Sequence, residues 1–367
     1  MNPGSARERS NFPTIGPIVA YMPRAMAIAR HAPADFLPAS VRNQRYARSM
    51  TTLQPGPTAT HLSLPTALTD PSPPRLPEYL LGARAALRAA AADYLSIPDA
   101  ALLKVWLYRG IDPEDGVRYG VYRAAETIEA ADAELEAAFA GAPARAPGAI
   151  RAAPATIARW ALQGRLANLD DAMLDQVPRD GEWTLRQTLA HTVGGQRGYG
   201  AFTRWWLTQP LGPGRPERIS AEADAALDRE LPPEPTEGAG TIAEICARFD
   251  AVLDEWASRF ADLDAAALAA SARWSGVPVD VDFRLGRWSS HIREHTLQID
   301  KTLDWLGYQP SEPVRIVRDL YTTWGRLESR IFPTAPAGTE TAVEAILDRM
   351  SDTLVREAHE VRKAAEA

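Results

Sequence analysis

From Glu78 to the end of the chain, apolar residues recur every three or four positions, segment after segment, and that spacing confines most of the protein to packed helices. EYLLGARAALRAAAADYL (78–95) and YRAAETIEAADAELEAAFAG (122–141) show it first, the second closing on a C-terminal glycine. Further helices are expected over 150–174, 184–207, 241–263, a segment ending at Gly307, 313–332 and 341–365. Thr184 and Gln187 form a capping box that fixes where the 184–207 helix begins. Only VPVDVDF (277–283) alternates as a strand would, and the proline- and charge-rich stretch 208–240 reads as a long loop. The fold class is all-α.

Residues 1–49 are different. They carry seven arginines against Glu8 and Asp35, a local charge of about +5, whereas the whole chain carries −7. They show no sustained periodicity, and Met50 would serve as a natural start. Residues 1–77 are therefore expected to be a disordered, proline-rich N-terminal segment, with 1–49 untranslated as the other reading. After it come an N-terminal helical region (78–147), a central bundle (148–310) and C-terminal helices (311–367). The outer helices are expected to form a second helical unit or a dimer surface.

Composition narrows the function. No lysine/arginine block tracks a phosphate backbone, which argues against nucleic acid as a partner. No apolar run approaches the ~20 residues that span a bilayer, so no membrane partner is expected. The single cysteine, Cys246, excludes an intramolecular disulfide framework and fits a reducing cytoplasm. Its alanine-rich helical setting suggests a buried small residue rather than a reactive thiol.

Chemistry concentrates on three of the six histidines. In HIREH, His291 and His295 fall about 40° apart on one helical face and border an apolar stripe. His191 faces inward on the 184–207 helix, with Tyr199, Phe202 and Trp206 within about 80° of it. Glycines 194, 195, 198 and 200 follow it, although each costs an exposed helix about 1 kcal/mol relative to alanine, so something is expected to approach that backbone closely. Three neutral imidazoles from two helices suit a divalent ion (Zn, Ni, Mn or Fe) and leave positions open for water or a small-molecule substrate. Tyr199 and Gln298 flank the histidine faces as substrate-contact candidates, with packing as the other reading. Glu294 projects away from His295 as a solvent-facing charge or a partner to the ligands. His359 lies among charges near the C-terminus and is expected to be exposed, and no catalytic residue can be named.

EWTLRQTLAHTVGGQRGY (182–199) and WSSHIREHTLQIDKTLDWLG (288–307) together resemble the DinB/YfiT-like family over about residues 148–310. The resemblance implies a DinB-like four-helix bundle, here with additional N- and C-terminal helices. It implies His191, His291 and His295 as a metal triad, and homodimers are common in the family. Some members use a low-molecular-weight thiol, so it also implies a metal-dependent transferase or isomerase of that type. The other reading is a non-catalytic helical module that binds a metal or ligand.

Overall fold

In a computed structural model the chain is described over residues 61–70 and 72–367, and the expectations for residues 1–49 fall outside that range. The helices are α1 Thr66–Thr69, α2 Glu78–Leu95, α3 Gly116–Ala138, α4 Pro147–Leu166, α5 Leu185–Thr208, α6 Ala221–Glu230, α7 Glu234–Glu237, α8 Ile242–Phe260 and α9 Ala265–Leu268. A hairpin, β1 Ser271–Trp274 and β2 Val277–Asp280, leads into α10 Val281–Trp305, α11 Glu312–Ile331 and α12 Glu340–Glu366. Among the described residues the fold is all-α apart from that one antiparallel hairpin.

Two closed rings of helices organise it. In the first, α4 packs on α10, α10 on α5, α5 on α8 and α8 back on α4, which makes a four-helix bundle. In the second, α2, α3, α11 and α12 pack on one another. The rings share the broad α4–α11 contact, and one continuous apolar core runs through both. At Gly164 and Gly325 a Cβ would meet the backbone or side chains of the facing helix at 3.0–3.3 Å, so glycine lets α4 and α11 close on each other.

A buried ion network crosses the same seam. Glu328 of α11 is fully buried and accepts from Arg84 of α2, at 2.7 and 3.0 Å, and from Arg159 of α4. The indole N–H groups of Trp160 and Trp324 also donate to it, at 3.0 and 2.9 Å. Both arginines reach Asp254 of α8 as well. Every charge in the network has a hydrogen-bonded opposite, which is the condition under which ions survive burial.

Four readings from sequence change. The 150–174 helix stops at Leu166, because Asp170 caps a separate short turn at Asp171–Met173 through Ala172 N–H. The 208–240 loop contains α6, capped by Ser220, and α7, whose Glu237 is buried and held by Arg197 of α5 at 2.5 Å. The strand pattern over 277–283 ends at Asp280, whose carboxylate caps α10 by accepting from Phe283 N–H. Within the proline-rich segment, residues 61–70 and 72–76 are anchored: Leu68 is buried, and Arg259 donates to the carbonyls of Ala67, Asp70 and Ser72.

Candidate metal centre

The two helices that carry the histidines have fixed starting points. The Thr184–Gln187 capping box closes in both directions, so the register of α5 is set and His191 falls two turns in. The β1–β2 hairpin and the Asp280 cap set α10 in the same way. Because α5 packs directly on α10, His191 faces the His291–His295 pair across the interface.

One ligand nitrogen from each of His191, His291 and His295 falls within a sphere where all three lie within 4.8 Å of one another. The Nε2 atoms of His291 and His295 are 3.0 Å apart. Two nitrogens bound to one zinc at about 2.0–2.1 Å stand roughly 3.0–3.4 Å apart at octahedral to tetrahedral angles, so this pair is spaced as a chelate. Gly195 makes the approach possible, since a Cβ there would stand 2.7 Å from Cε1 of His291. Gly200 does the same for Trp256, whose ring a Cβ would meet at 2.1 Å. Gly198 has open space and Gly194 only ordinary contact, so two of the four glycines carry the expected close approach.

The opposite edge of each ring has a partner. The amide oxygen of Gln298 lies 2.9 Å from His295 Nδ1; since that oxygen only accepts, Nδ1 carries the proton and Nε2 keeps its lone pair for an ion. His291 Nδ1 meets the Gln196 amide at 3.1 Å, and Gln196 Oε1 is buried without a partner. The two amide orientations select the two tautomers of His291. With nitrogen facing the ring, Nδ1 accepts and Nε2 bears the proton; with oxygen facing it, Nδ1 donates and Nε2 is free beside that of His295. The second orientation is the ligand form. Glu234 of α7 places a carboxylate oxygen 3.5 Å from His191 Nδ1. Ligating histidines characteristically donate their second N–H to a carboxylate or amide oxygen; Gln298 takes that role as placed, Gln196 in its second orientation, and Glu234 stands within ion-pair range of His191.

Burial keeps two of the rings, those of His291 and His295, neutral. Burial drives His291 down to about 2, with His295 and His191 opposing a further positive charge. Burial likewise lowers His295. Unprotonated imidazole is the form a metal needs. Around the triad, Trp183 lies edge-on to His191 at 5.1 Å and Tyr199 edge-on to His291 at 5.0 Å. Both walls limit water.

The sequence-derived candidates land as follows. The three histidines converge. Gln298 holds His295. Tyr199 is buried against His291 and Trp274, and burial pushes its hydroxyl up to about 12, so it packs in the wall. Glu294 faces solvent in an ion pair with Arg287 at 2.8 Å. Cys246 lines the bundle interior with Leu162, Leu189 and Phe249, and burial pushes its thiol up to about 12. His359 is exposed and bonded to Arg362. Gln196, Glu234 and Trp183 had been passed over. Gln196 sits about 140° from His191 by helical count, which points it away from the expected face, and Glu234 lies in a stretch without apolar period.

Residues 155–299 match the family model of the DinB superfamily, a span that contains all three histidines and both glutamine partners. No curated protein and no solved structure matches the chain. Among the described residues, no helix is long and apolar enough to cross a membrane.

Proposed function

We propose that this DinB-superfamily domain holds one divalent metal ion on His191, His291 and His295 and acts on a small molecule as a thiol S-transferase or isomerase. The convergence of three imidazoles, two of them held neutral by burial and each with a polar group beside a ring nitrogen, carries the reading. These three are the only such cluster among the described residues, and a structural zinc would take four protein ligands. A bound ion would therefore keep positions for water or substrate, where it supplies Lewis acidity that lowers the pKa of a bound water or thiol.

The chain's own groups define the rest. Gln196, Gln298 and Glu234 orient the imidazoles, and Trp183 and Tyr199 restrict water beside them. Cys246, with its thiol pushed up to about 12 inside the bundle, supplies no thiolate near neutrality. The sulfur nucleophile thus has to arrive as a low-molecular-weight thiol. A reducing cytoplasm suits such a co-substrate, and the assembly we propose is a homodimer, which light scattering reads directly.

Elemental analysis of the purified protein should find one equivalent of Zn, Ni, Mn or Fe. Low-molecular-weight thiols offered with model electrophiles should then turn over only with metal present. Stoichiometric metal without turnover of any thiol would select the non-catalytic module instead. A wild type that binds no metal would remove the enzyme reading and leave a module that binds a ligand without metal.

A further inference from the structure

On the side of α10 turned away from the histidines, a cavity of about 530 Å³ opens between α4, the end of α10, the 308–310 segment and α11. Asp300 and Asp304 line it, and by helical count they lie about 180–220° around α10 from His291. Most of the lining falls outside residues 155–299, at the seam with the added helix α11. It is chemically separate from the metal centre.

Three arginines face three aspartates there: Arg165, Arg315 and Arg318 against Asp300, Asp304 and Asp319. Arg165 is engaged by Asp300 at 3.4 Å. Arg315 is exposed. Arg318 is half-buried beside the Tyr308 ring, and its Nε and Nη2 are shielded from solvent with no acceptor among the described residues. Burial holds its pKa below the ordinary arginine range, and the neighbouring Arg165 and Arg315 add to that. A desolvated N–H without an acceptor is destabilising, so a pair of them calls for an oxyanion.

The unpartnered edge is one by which this chain grips carboxylates elsewhere. Through Nε and Nη2, Arg118 holds Glu312 at 2.7 and 3.2 Å, and Arg186 holds Asp175 at 2.7 and 2.9 Å. Arg197 holds Glu237 in the same way, at 2.5 and 3.3 Å. Two parallel N–H groups match two carboxylate oxygens. Arg318 itself lines the cavity, so a rotation about its outer torsions would turn that edge toward the lumen.

We infer that this cavity is a second, metal-independent ligand site, which takes a small molecule by a carboxylate on the Arg318 fork. Arg315 flanks the carboxylate, and Asp304 and Asp319 accept from an ammonium or hydroxyl group elsewhere on the ligand. A carboxylate is favoured over phosphate because the three arginines and three aspartates leave no surplus positive charge for a dianion.

Titration calorimetry on the full chain tests this with β-alanine, succinate and inorganic phosphate at matched ionic strength, with and without EDTA. We expect saturable β-alanine binding that EDTA leaves unchanged. Arg318→Gln should weaken it at least tenfold. Arg318→Lys, which keeps the charge and the aliphatic stem but not the fork, should weaken it comparably while circular dichroism stays that of the wild type. If Arg318→Gln fails to fold, Arg318→Lys alone decides. Wild-type affinity in Arg318→Lys, or no saturable binding of any probe, overturns the site. Phosphate binding tighter than either carboxylate overturns the assignment of ligand class.

Discussion

Gly195 stands where any side chain would strike the imidazole of His291, a Cβ there falling 2.7 Å from the ring's Cε1. The obstacle is a buried ring rather than the free end of a flexible chain, so Gly195→Ala must push α10 away from α5 or rotate the ligand. We expect metal affinity to fall at least tenfold. Gly198→Ala is the control, since open space surrounds that position and alanine there should raise stability by up to about 1 kcal/mol. Equal metal affinity in the two variants would show that the close approach does not shape the site.

Removing one of three imidazoles leaves an incomplete chelate. His191→Ala, His291→Ala and His295→Ala should each lose bound metal, and any activity with it, while keeping helical content. Their stability should fall mainly by the loss of linkage to the ion. His359→Ala, at an exposed position bonded to Arg362, should change neither quantity. Full retention of metal by the three variants, measured by elemental analysis, would make the histidines wall residues.

Gln298→Leu should keep the three ligands but free the His295 ring to turn, since the 2.9 Å contact to Nδ1 disappears. Outer partners of this kind typically contribute 10- to 100-fold to metal affinity, and competition with a chromophoric chelator would read that range. Unchanged affinity would reassign Gln298 to substrate contact.

Much of the triad was legible because its signals are local. The four-residue spacing of His291 and His295 puts them on one face whatever the fold, and the Thr184–Gln187 box fixes where His191 falls along α5. The partners were hidden because they depend on packing. Gln196 reaches His291 only because α10 lies against that flank of α5, and Glu234 arrives on a one-turn helix held by Arg197 and Glu237. The boundaries that shifted had the same cause. Asp170 reads as part of a helix and Asp280 as part of a strand, because nothing local shows that their carboxylates cap the turns that follow. Residues 61–76 look like a linker because nothing nearby in sequence reveals Arg259, nearly two hundred positions away.

Acid should weaken the metal-free protein. Burial lowers both His291 and His295, whereas the same groups in the unfolded chain titrate near ~6.5. Below that pH the unfolded state takes up protons that the folded state refuses, so stability is full above about pH 7 and declines as pH drops. The slope is at most about 1.4 kcal/mol per pH unit for each ring kept neutral. Urea unfolding of EDTA-treated protein between pH 7.5 and 5 should show the decline, and His291→Leu should flatten it. An equally steep decline in that variant would place the titrating group elsewhere.

Glu328 joins the two helical rings, and its removal should expose how much the seam depends on it. The carboxylate is fully buried and receives both guanidiniums and two indole N–H groups. Glu328→Ala deletes all five hydrogen bonds, from four donor side chains, and leaves Asp254 to serve Arg84 and Arg159 alone. Breaking one side of a buried pair costs about 3–5 kcal/mol, because the charge left behind is desolvated without its partner. Glu328→Gln keeps the shape and one acceptor oxygen, so its loss should be smaller but of the same sign. The triad lies between α5 and α10, which take no part in the network, and metal stoichiometry should survive in any fraction that folds. Denaturant midpoints and elemental analysis on the same samples separate the two effects, and a wild-type midpoint for Glu328→Ala would mean that apolar contact between α4 and α11 holds the rings together unaided.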